Sequence, residues 1–258
     1  MTILEARGLV KSFGGLIAVN SLDFDVNKNE IFAIIGPNGA GKTTVFNLIT
    51  AYLKPTKGSI KFQGKDITSL KTYEIAQKGL VRTFQETNVY RDMTLLRNVN
   101  IAHHIHCKAN NWEHFFNTKR AREDNQIIMK NSLEILKFLD LQKVQNQLAR
   151  NLPHGQLRIL EIAMGIATGP KLLLLDEPFT GMSSTEADEL SSVIRNLRNR
   201  GITIVLIEHN MRAVMGLCDR IMVINFGKKI AEGKPENIQL DKEVIEAYLG
   251  KYDEEVGY

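Results

Sequence analysis

The sequence predicts an α/β protein whose parallel core sheet is interrupted by an inserted α-helical subdomain. The first observation behind this prediction is that strands alternate with helices on both sides of a helical stretch covering residues 86–165. The second is the pair of continuous apolar runs at residues 31–35 and 172–175, which are typical of fully buried strands. The third is the length of 258 residues, which suits one large domain or a core that carries a smaller subdomain.

The N-terminal half is predicted to begin with strands. Apolar residues alternate at Leu22, Phe24 and Val26 within residues 1–35, as expected for a half-buried strand. A glycine-rich turn follows, and we predict a helix over residues 42–53 because Pro55 cannot continue it. The remaining predicted elements of this half are a strand closed by a turn over 58–64, a short helix over 73–77 and a strand over 80–84.

The middle of the chain is predicted to be helical. The apolar residues Ile127, Leu133, Leu136 and Leu139 recur at roughly helical spacing. Residues 107–125 are polar and are predicted to form a variable surface segment. Strands resume at 172–175, 202–207 and 221–225, with a helix between the first two. We therefore assign residues 1–85 and 166–258 to the α/β core and residues 86–165 to the helical subdomain.

Composition and charge exclude several classes of protein. With 43% hydrophobic and 24% charged residues, the chain is ordinary for a globular protein rather than disordered or fibrous. Lysine and arginine exceed aspartate and glutamate by 33 − 29 = 4, which is too little to indicate a nucleic-acid partner. Two cysteines without metal-ligand spacing fit a reducing compartment. No signal peptide or membrane-spanning apolar run is recognisable, so we expect a soluble, cytoplasmic protein.

A phosphate-binding motif lies between a predicted strand and a predicted helix. Glycine lets backbone N–H groups approach a triphosphate closely, and the following helix N-terminus adds partial positive charge. Lys42 is expected to reach the β- and γ-phosphates of ATP, and the Thr43 hydroxyl to help hold Mg²⁺. The alternative is a glycine-rich turn without a ligand. The predicted nucleotide-binding residues are Gly36, Pro37, Asn38, Gly39, Ala40, Gly41, Lys42, Thr43 and Thr44.

Two acidic residues end the apolar strand that begins at Leu172. A carboxylate at such a strand end can hold a metal ion, and the next can polarise an attacking water. We therefore predict that Asp176 is the Mg²⁺ carboxylate and that Glu177 is the general base. A solvated acid pair is the alternative, and the phosphate-binding motif in the same chain argues against it.

The order of the motifs resembles that of the ATP-binding cassette (ABC) ATPases. Gln85 lies between the two nucleotide motifs, residues 152–156 open a helix before the acidic strand, and His209 follows the next strand. This resemblance implies a P-loop ATPase core with an N-terminal antiparallel β subdomain and an inserted helical subdomain. It also implies a head-to-tail dimer with two ATP molecules sandwiched between the subunits.

The same resemblance implies roles for individual residues. Gln85 would sense Mg²⁺ and the membrane partner, and His209 would contact the γ-phosphate. Residues 152–156, including Gly155 and Gln156, would cap the γ-phosphate bound by the opposite subunit. Phe13 would stack on adenine, with a place in the core as the alternative.

Two positions depart from the family pattern. Pro153 and His154 replace a serine and a glycine of the usual Leu-Ser-Gly-Gly-Gln signature, and Ser183 stands where the dimer-contact loop commonly has Asp or Asn. Proline suits the first turn of a helix but supplies no N–H donor. We hypothesise that the Gly155 N–H, the helix N-terminus and the His154 imidazole bind the γ-phosphate instead.

Finer similarities are to ATPase subunits of branched-chain amino-acid (LIV-type) importers. The similar segments include residues 13–20, 81–85, 155–163 and 247–250. ATPases for urea, other amino acids or lipopolysaccharide export share several of them. The rival classes are a soluble ABC ATPase and a small-molecule P-loop kinase. The resemblance leaves the solute open, as well as whether the second ATPase subunit is a copy or a paralogue.

The importer resemblance implies a set of partners. These are a second ABC ATPase subunit, multispanning permease subunits and, through the permease, a periplasmic or extracellular solute-binding protein. The permease would dock on residues 87–99. The chain would then work at the cytoplasmic face of the cell membrane, as a peripheral subunit.

Overall fold

The computed structural model describes residues 1–83, 89–107 and 109–249, and these form two compact units. The first unit contains Met1–Arg82, Lys171–Thr180 and the described residues from Ile194 onward. The second contains Thr83–Pro170 and Gly181–Val193. The second unit therefore extends a few residues beyond both ends of the stretch 86–165 that the sequence assigned to the helical subdomain, and it also contains residues 181–193.

The described strands form two sheets. A four-stranded antiparallel sheet has the order β2-β1-β4-β5, and a six-stranded sheet has the order β10-β9-β3-β8-β7-β6. All neighbours in the larger sheet are parallel except β10 and β9. The strands are β1 (Thr2–Phe13), β2 (Leu16–Asn27), β3 (Ile31–Ile35), β4 (Lys57–Phe62), β5 (Lys65–Asp66), β6 (Leu80–Arg82), β7 (Leu172–Asp176), β8 (Thr203–Ile207), β9 (Arg220–Asn225) and β10 (Lys228–Gly233).

Ten α-helices accompany these strands in the described ranges. Short 3₁₀ helices cover His103–His106, Gln142–Val144 and Ala149–Asn151. The α-helices are α1 (Lys42–Ile49), α2 (Thr72–Gln77), α3 (Leu95–Ala102), α4 (Asn111–Phe115), α5 (Lys119–Phe138), α6 (His154–Ala167), α7 (Ser184–Asn199), α8 (Met211–Leu217), α9 (Pro235–Gln239) and α10 (Lys242–Leu249). A mostly parallel sheet, an antiparallel β sheet and a helical region confirm the predicted fold class.

The predicted end of α1 was wrong. Helix α1 ends at Ile49 rather than at residue 53, because Ala51 adopts a left-handed conformation with φ 55°. The polar segment 107–125, predicted as a variable surface segment, contains α4 and the start of α5. Its polarity reflects helix capping: the Asn110 side chain accepts from the Glu113 N–H at 2.9 Å, and the Glu113 carboxylate accepts from the Asn110 N–H at 2.7 Å.

The buried face of α5 also differs from the predicted one. Ile127 is 56% exposed, whereas its neighbour Ile128 is buried. The buried positions follow a spacing of three and four residues, as the inner face of a helix requires. They are Ala121, Asp124, Ile128, Ser132 and Leu136. One buried position is thus an acid rather than an apolar residue, which apolar periodicity cannot reveal.

The first unit places chemically active residues beyond the carboxyl ends of its central strands. Strands β3, β7 and β8 are buried along their whole lengths and run parallel, so their carboxyl ends meet at one edge of the sheet. Gly36, Glu177 and Glu208 are the residues that follow these three strands. Ligands of open α/β sheets bind at this edge. Among the described helices, none combines the length and apolar composition needed to cross a membrane.

Candidate functional site

A tight loop joins β3 to α1 and packs against backbone atoms elsewhere in the first unit. Gly41, the N-cap of α1, has φ 102°, which few residues other than glycine adopt. A Cβ atom at Gly41 would lie 2.4 Å from the Ala18 carbonyl oxygen. The loop therefore requires glycine here for conformation and for space, and it leads directly into the helix N-terminus.

Lys42 is buried beneath this loop. Its Nζ donates to the carbonyl oxygens of Gly36 at 2.7 Å and Pro37 at 3.0 Å. Burial lowers the pKa of Lys42, and the negative charge of Glu177 opposes that shift. A partly desolvated ammonium group interacts strongly with an anion, so the loop and Lys42 together suit a phosphate.

A cavity of about 430 Å³ opens beside the loop. Phe13 is 46% exposed and lines this cavity, which does not fit the alternative of a core position. Thr43 and Thr44 line it as well, next to Glu177. The complete lining is Phe13, Leu16, Ile17, Ala18, Asn38, Gly39, Ala40, Gly41, Lys42, Thr43, Thr44, Glu177, Phe226 and Gly227.

The predicted acid pair has two different environments. Asp176 is 2% exposed and accepts from an Arg82 guanidinium nitrogen at 2.6 Å. Arg82 also donates to Asn47 Oδ1 at 2.6 Å, so its guanidinium joins α1 to the end of β7. Glu177 reaches toward the cavity, with Oε1 3.7 Å from His209 Nδ1. The structure thus brings Glu177 and His209 together, whereas Asp176 is already paired with a cation.

Glu208 was not predicted as a functional residue and holds the loop after β8. Its buried carboxylate accepts N–H groups from Phe179 at 2.8 Å, His209 at 3.0 Å and Asn210 at 3.1 Å. Burial nevertheless raises the pKa of Glu208. An acid directly after a continuous apolar strand is the sequence signal that would have identified it. By accepting from the backbone of Phe179 and of the two residues that follow Glu208, this carboxylate fixes the backbone position of His209.

Residues 152–156 lie in the second unit, where Pro153 is the N-cap of α6. The Gly155 N–H donates to Glu186 Oε1 at 3.2 Å. Glu186 Oε2 accepts from the backbone N–H of Ser183 at 2.9 Å and from its hydroxyl at 2.8 Å. These hydrogen bonds, those of Ser183 first, lower the pKa of Glu186. The Gly155 donor that we expected to meet a phosphate is therefore engaged by a carboxylate of its own unit.

Gln156 follows in the first turn of α6 and is partly buried. Gln85, expected to sense both Mg²⁺ and the membrane partner, lies outside the described residues. Of the predicted docking segment 87–99, the described part begins at Val89 and includes the first turns of α3.

Comparison with protein families gives the same assignment as this geometry. Residues 19–180 match the family model described as ABC transporter. The chain belongs to the ABC transporter family. Residues 228–254 match a second model, described as branched-chain amino acid ATP-binding cassette transporter. The family resemblance drawn from the motifs is confirmed.

Curated relatives of this ABC transporter chain align over nearly their whole lengths. The high-affinity branched-chain amino acid transport ATP-binding protein BraF of Pseudomonas aeruginosa is 42% identical, over 96% of this chain and 98% of the relative. The corresponding protein LivG of Escherichia coli is 41% identical over the same shares of the two chains.

Solved structures of ABC cassettes have the same fold. A nucleotide-free ATP-binding cassette from an ABC transporter is 32% identical and superposes with a TM-score of 0.85. A cassette in its ADP conformation is 33% identical with the same TM-score. Each alignment covers 97% of this chain and all of the other.

The residues of this ABC cassette fit a nucleotide with Mg²⁺. The loop packs on the Ala18 carbonyl oxygen so closely that Gly41 has no room for a Cβ atom, and its residues 38–44, Lys42 included, line the cavity. Thr43 and Asp176 offer a hydroxyl and a carboxylate, which are the hard oxygen ligands that Mg²⁺ prefers. The set therefore agrees with the cofactors expected from the sequence.

Proposed function

We propose that this chain is the ATP-binding and ATP-hydrolysing subunit of an ABC importer for branched-chain amino acids. The solute class is supported by BraF and LivG, whose names describe high-affinity branched-chain amino acid transport, and by the family match over residues 228–254. The observation that carries the hydrolytic role is that Lys42 and Glu177 line one cavity of the first unit, with His209 Nδ1 3.7 Å from Glu177 Oε1.

The phosphate loop binds the nucleotide in this proposal. Residues 36–44 surround the phosphates with backbone N–H groups, and Lys42 exchanges its bonds to carbonyl oxygens for bonds to phosphate oxygens. Phe13 lies at the wall of the same cavity, where its exposed ring is available to stack on the adenine.

Glu177 acts as the general base. It accepts a proton from the water that attacks the γ-phosphorus, while the bond between that phosphorus and the ADP oxygen breaks. His209 lies close to Glu177, with Glu208 fixing its backbone, and its role in this proposal is to contact the γ-phosphate. Thr43, Asp176 and Gln85 would hold Mg²⁺, which neutralises charge on the phosphate oxygens when it is bound.

Coupling to transport requires partners. We infer that a second ATPase subunit, either a copy or a paralogue, places its residues 152–156 against the nucleotide held here. Permease subunits dock on residues 87–99 and receive solute from an external binding protein. The chain thus acts at the cytoplasmic face of the membrane as a peripheral subunit.

The hydrolytic role is tested with Glu177→Gln. Because the amide cannot accept the proton of the attacking water, we expect ATP hydrolysis to fall by about 10²- to 10⁴-fold while ATP binding persists. ATP, but not ADP, should shift the variant to a dimer in sedimentation velocity. Asp188→Asn, an exposed acid on α7, is the matched control and should hydrolyse ATP normally. Undiminished turnover by Glu177→Gln would overturn the general-base assignment.

The importer role is tested in cells that lack this chain. Uptake of radiolabelled leucine should be lost, restored by the wild-type chain and not restored by Glu177→Gln. Affinity purification from the membrane fraction should recover multispanning subunits with the wild-type chain. Normal leucine uptake without the chain, together with a partner set of soluble proteins alone, would instead favour a soluble ABC ATPase.

A further inference from the structure

The second unit has an unusual concentration of metal-binding residue types. Four of the six histidines and one of the two cysteines of the chain lie within residues 103–114. These residues belong to none of the nucleotide motifs. Apolar periodicity does not explain these histidines and this cysteine either. Whether they form a site therefore depends on their arrangement in three dimensions.

Three side chains from separate parts of the fold converge there. Cys107 follows a 3₁₀ helix, His114 lies on α4 and Asp124 lies on α5. A sulfur, a ring nitrogen and a carboxylate oxygen of these residues all lie within 4.8 Å of one another. The cluster therefore connects α4 and α5 to the segment that precedes them, although no two of its three residues are adjacent in sequence.

The cluster contains a buried acid and an unsatisfied buried nitrogen. Asp124 is 8% exposed, and its Oδ2 accepts from the Ala109 N–H at 2.8 Å. The Nε2 atom of His114 is buried and has no hydrogen-bond partner among residues that the structure describes. Buried polar atoms normally have a partner, and an imidazole nitrogen without one is a suitable metal ligand.

A fourth ligand is within reach. His104 Nδ1 lies 3.5 Å from Cys107 Sγ, and the rings of His104 and His114 are 5.9 Å apart between centroids. Tetrahedral Zn²⁺ with ordinary Zn–S and Zn–N bonds places its sulfur and nitrogen ligands about 3.6 Å apart. The spacing of His104 and Cys107 therefore already corresponds to one edge of such a tetrahedron.

We propose that Cys107, His114 and Asp124 bind a divalent transition-metal ion, with His104 as the fourth ligand and Zn²⁺ as the favoured metal. Cysteine sulfur, imidazole nitrogen and carboxylate oxygen together form a ligand set typical of zinc, and four protein ligands would close the site to substrate. The ion would act structurally, tying the five-residue helix α4 to α5 independently of ATP.

The test uses the full-length, tag-free protein without nucleotide, titrated with Co²⁺ as a spectroscopic substitute for Zn²⁺. Wild type should bind one equivalent and show a thiolate-to-cobalt charge-transfer band in the near ultraviolet. Cys107→Ser should lose that band, and His114→Ala should bind Co²⁺ at least about 10- to 100-fold more weakly. Cys218→Ala removes the other cysteine, which lies in the first unit, and should retain the band.

Asp124→Asn guards against a folding artefact. Its amide oxygen can still accept from the Ala109 N–H, so the fold should persist while metal affinity falls. Zn²⁺ should raise the thermal midpoint of wild type and Cys218→Ala but not that of Asp124→Asn. Equal Co²⁺ affinity in wild type, Cys107→Ser and Asp124→Asn, or a charge-transfer band that Cys218→Ala abolishes, would overturn the proposal.

Discussion

Two helix N-termini in this chain present the same backbone donors in opposite electrostatic surroundings. Helix α1 begins at the phosphate loop, with Lys42 as its first residue and a cavity beside it. Helix α6 begins at Pro153 and His154, and its Gly155 N–H already donates to the carboxylate of Glu186. The N-terminus of α1 carries a lysine that can pair with an external anion. The N-terminus of α6 instead already binds a carboxylate of its own unit.

This difference shows that a signature motif in the sequence does not tell whether its backbone N–H donor is available to a phosphate or already bonded to a side chain. A helix N-terminus attracts any nearby anion, whether it is a phosphate or a side chain. At α6 a phosphate from a partner would have to displace or tolerate Glu186. At α1 the competing groups are the two carbonyl oxygens that accept from Lys42. A phosphate oxygen that replaces them forms a stronger hydrogen bond with Lys42, because it carries a negative charge.

The largest expected effect tests the phosphate loop. Gly41→Ala places a Cβ atom 2.4 Å from the Ala18 carbonyl oxygen, a backbone atom that cannot move aside. Overpacking usually costs about 1–3 kcal/mol of free energy, so we expect ATP binding to weaken by about 10- to 100-fold. Isothermal titration calorimetry with ATP measures the effect.

Gly39→Ala is the matched control for this prediction. Gly39 also has positive φ, 80°, but a Cβ atom there meets nothing within 4 Å. It should therefore weaken ATP binding clearly less than Gly41→Ala does. Equal effects of the two substitutions would show that backbone strain, rather than close approach to Ala18, limits the loop.

A smaller effect is expected at α6. Glu186→Gln removes a negative charge from the helix end that our proposal places against the partner's γ-phosphate. In the Glu177→Gln background, ATP-driven dimerisation should tighten by about two- to fivefold, as expected for one charge at a helix terminus. Sedimentation velocity at several protein concentrations measures this change.

Glu189→Gln controls for net charge, because this exposed acid lies on the same helix as Glu186. It should leave dimerisation unchanged. Weaker dimerisation of the Glu186→Gln variant would mean that the carboxylate organises the loop through Ser183 rather than competing with phosphate. Gly155→Val is a poorer test, since a Cβ atom there would lie 2.8 Å from Glu186 Oε1.

The smallest effect concerns Glu208, a carboxylate that also accepts backbone N–H groups but is fully buried. Its pKa in the folded protein lies above the ordinary value of 4.5, so its proton binds more tightly to the folded state. Its contribution to stability is therefore complete below pH 4.5 and is lost as the pH rises through the folded pKa.

Glu208→Gln should remove this dependence. We expect the stability of wild type relative to the variant to increase as the pH falls from neutrality toward 4.5. Urea unfolding at several pH values measures the difference. A difference that is constant with pH would show that Glu208 does not titrate differently in the folded and unfolded chains.

The features that sequence predicted well are local. The phosphate loop follows from glycines and a lysine between a strand and a helix, and the buried strands follow from short apolar runs. Pairs that join distant residues were not predictable in this way. The Gly155–Glu186 hydrogen bond spans 31 positions and the Arg82–Asp176 ion pair spans 94. Polar and ionic contacts of this kind leave no periodic pattern in a single sequence.

The helical subdomain was predicted less completely for the same reason. Its polar segment contains helix caps, and α5 buries Asp124 where periodicity expects an apolar residue. Cysteine and histidine spacing alone did not indicate a metal site, because the third ligand comes from a helix further along the chain.

The pairing of Arg82 with Asp176 implies an order in which ligands arrive. The guanidinium offsets the charge of this carboxylate, and Thr43 and Gln85, the other ligands expected for Mg²⁺, are neutral. These ligands alone therefore attract a divalent cation weakly. The phosphates of a nucleotide would supply the negative charge and the oxygen ligands that Mg²⁺ still requires. Nucleotide and cation should consequently bind as one unit, and free Mg²⁺ should be a poor ligand of the protein.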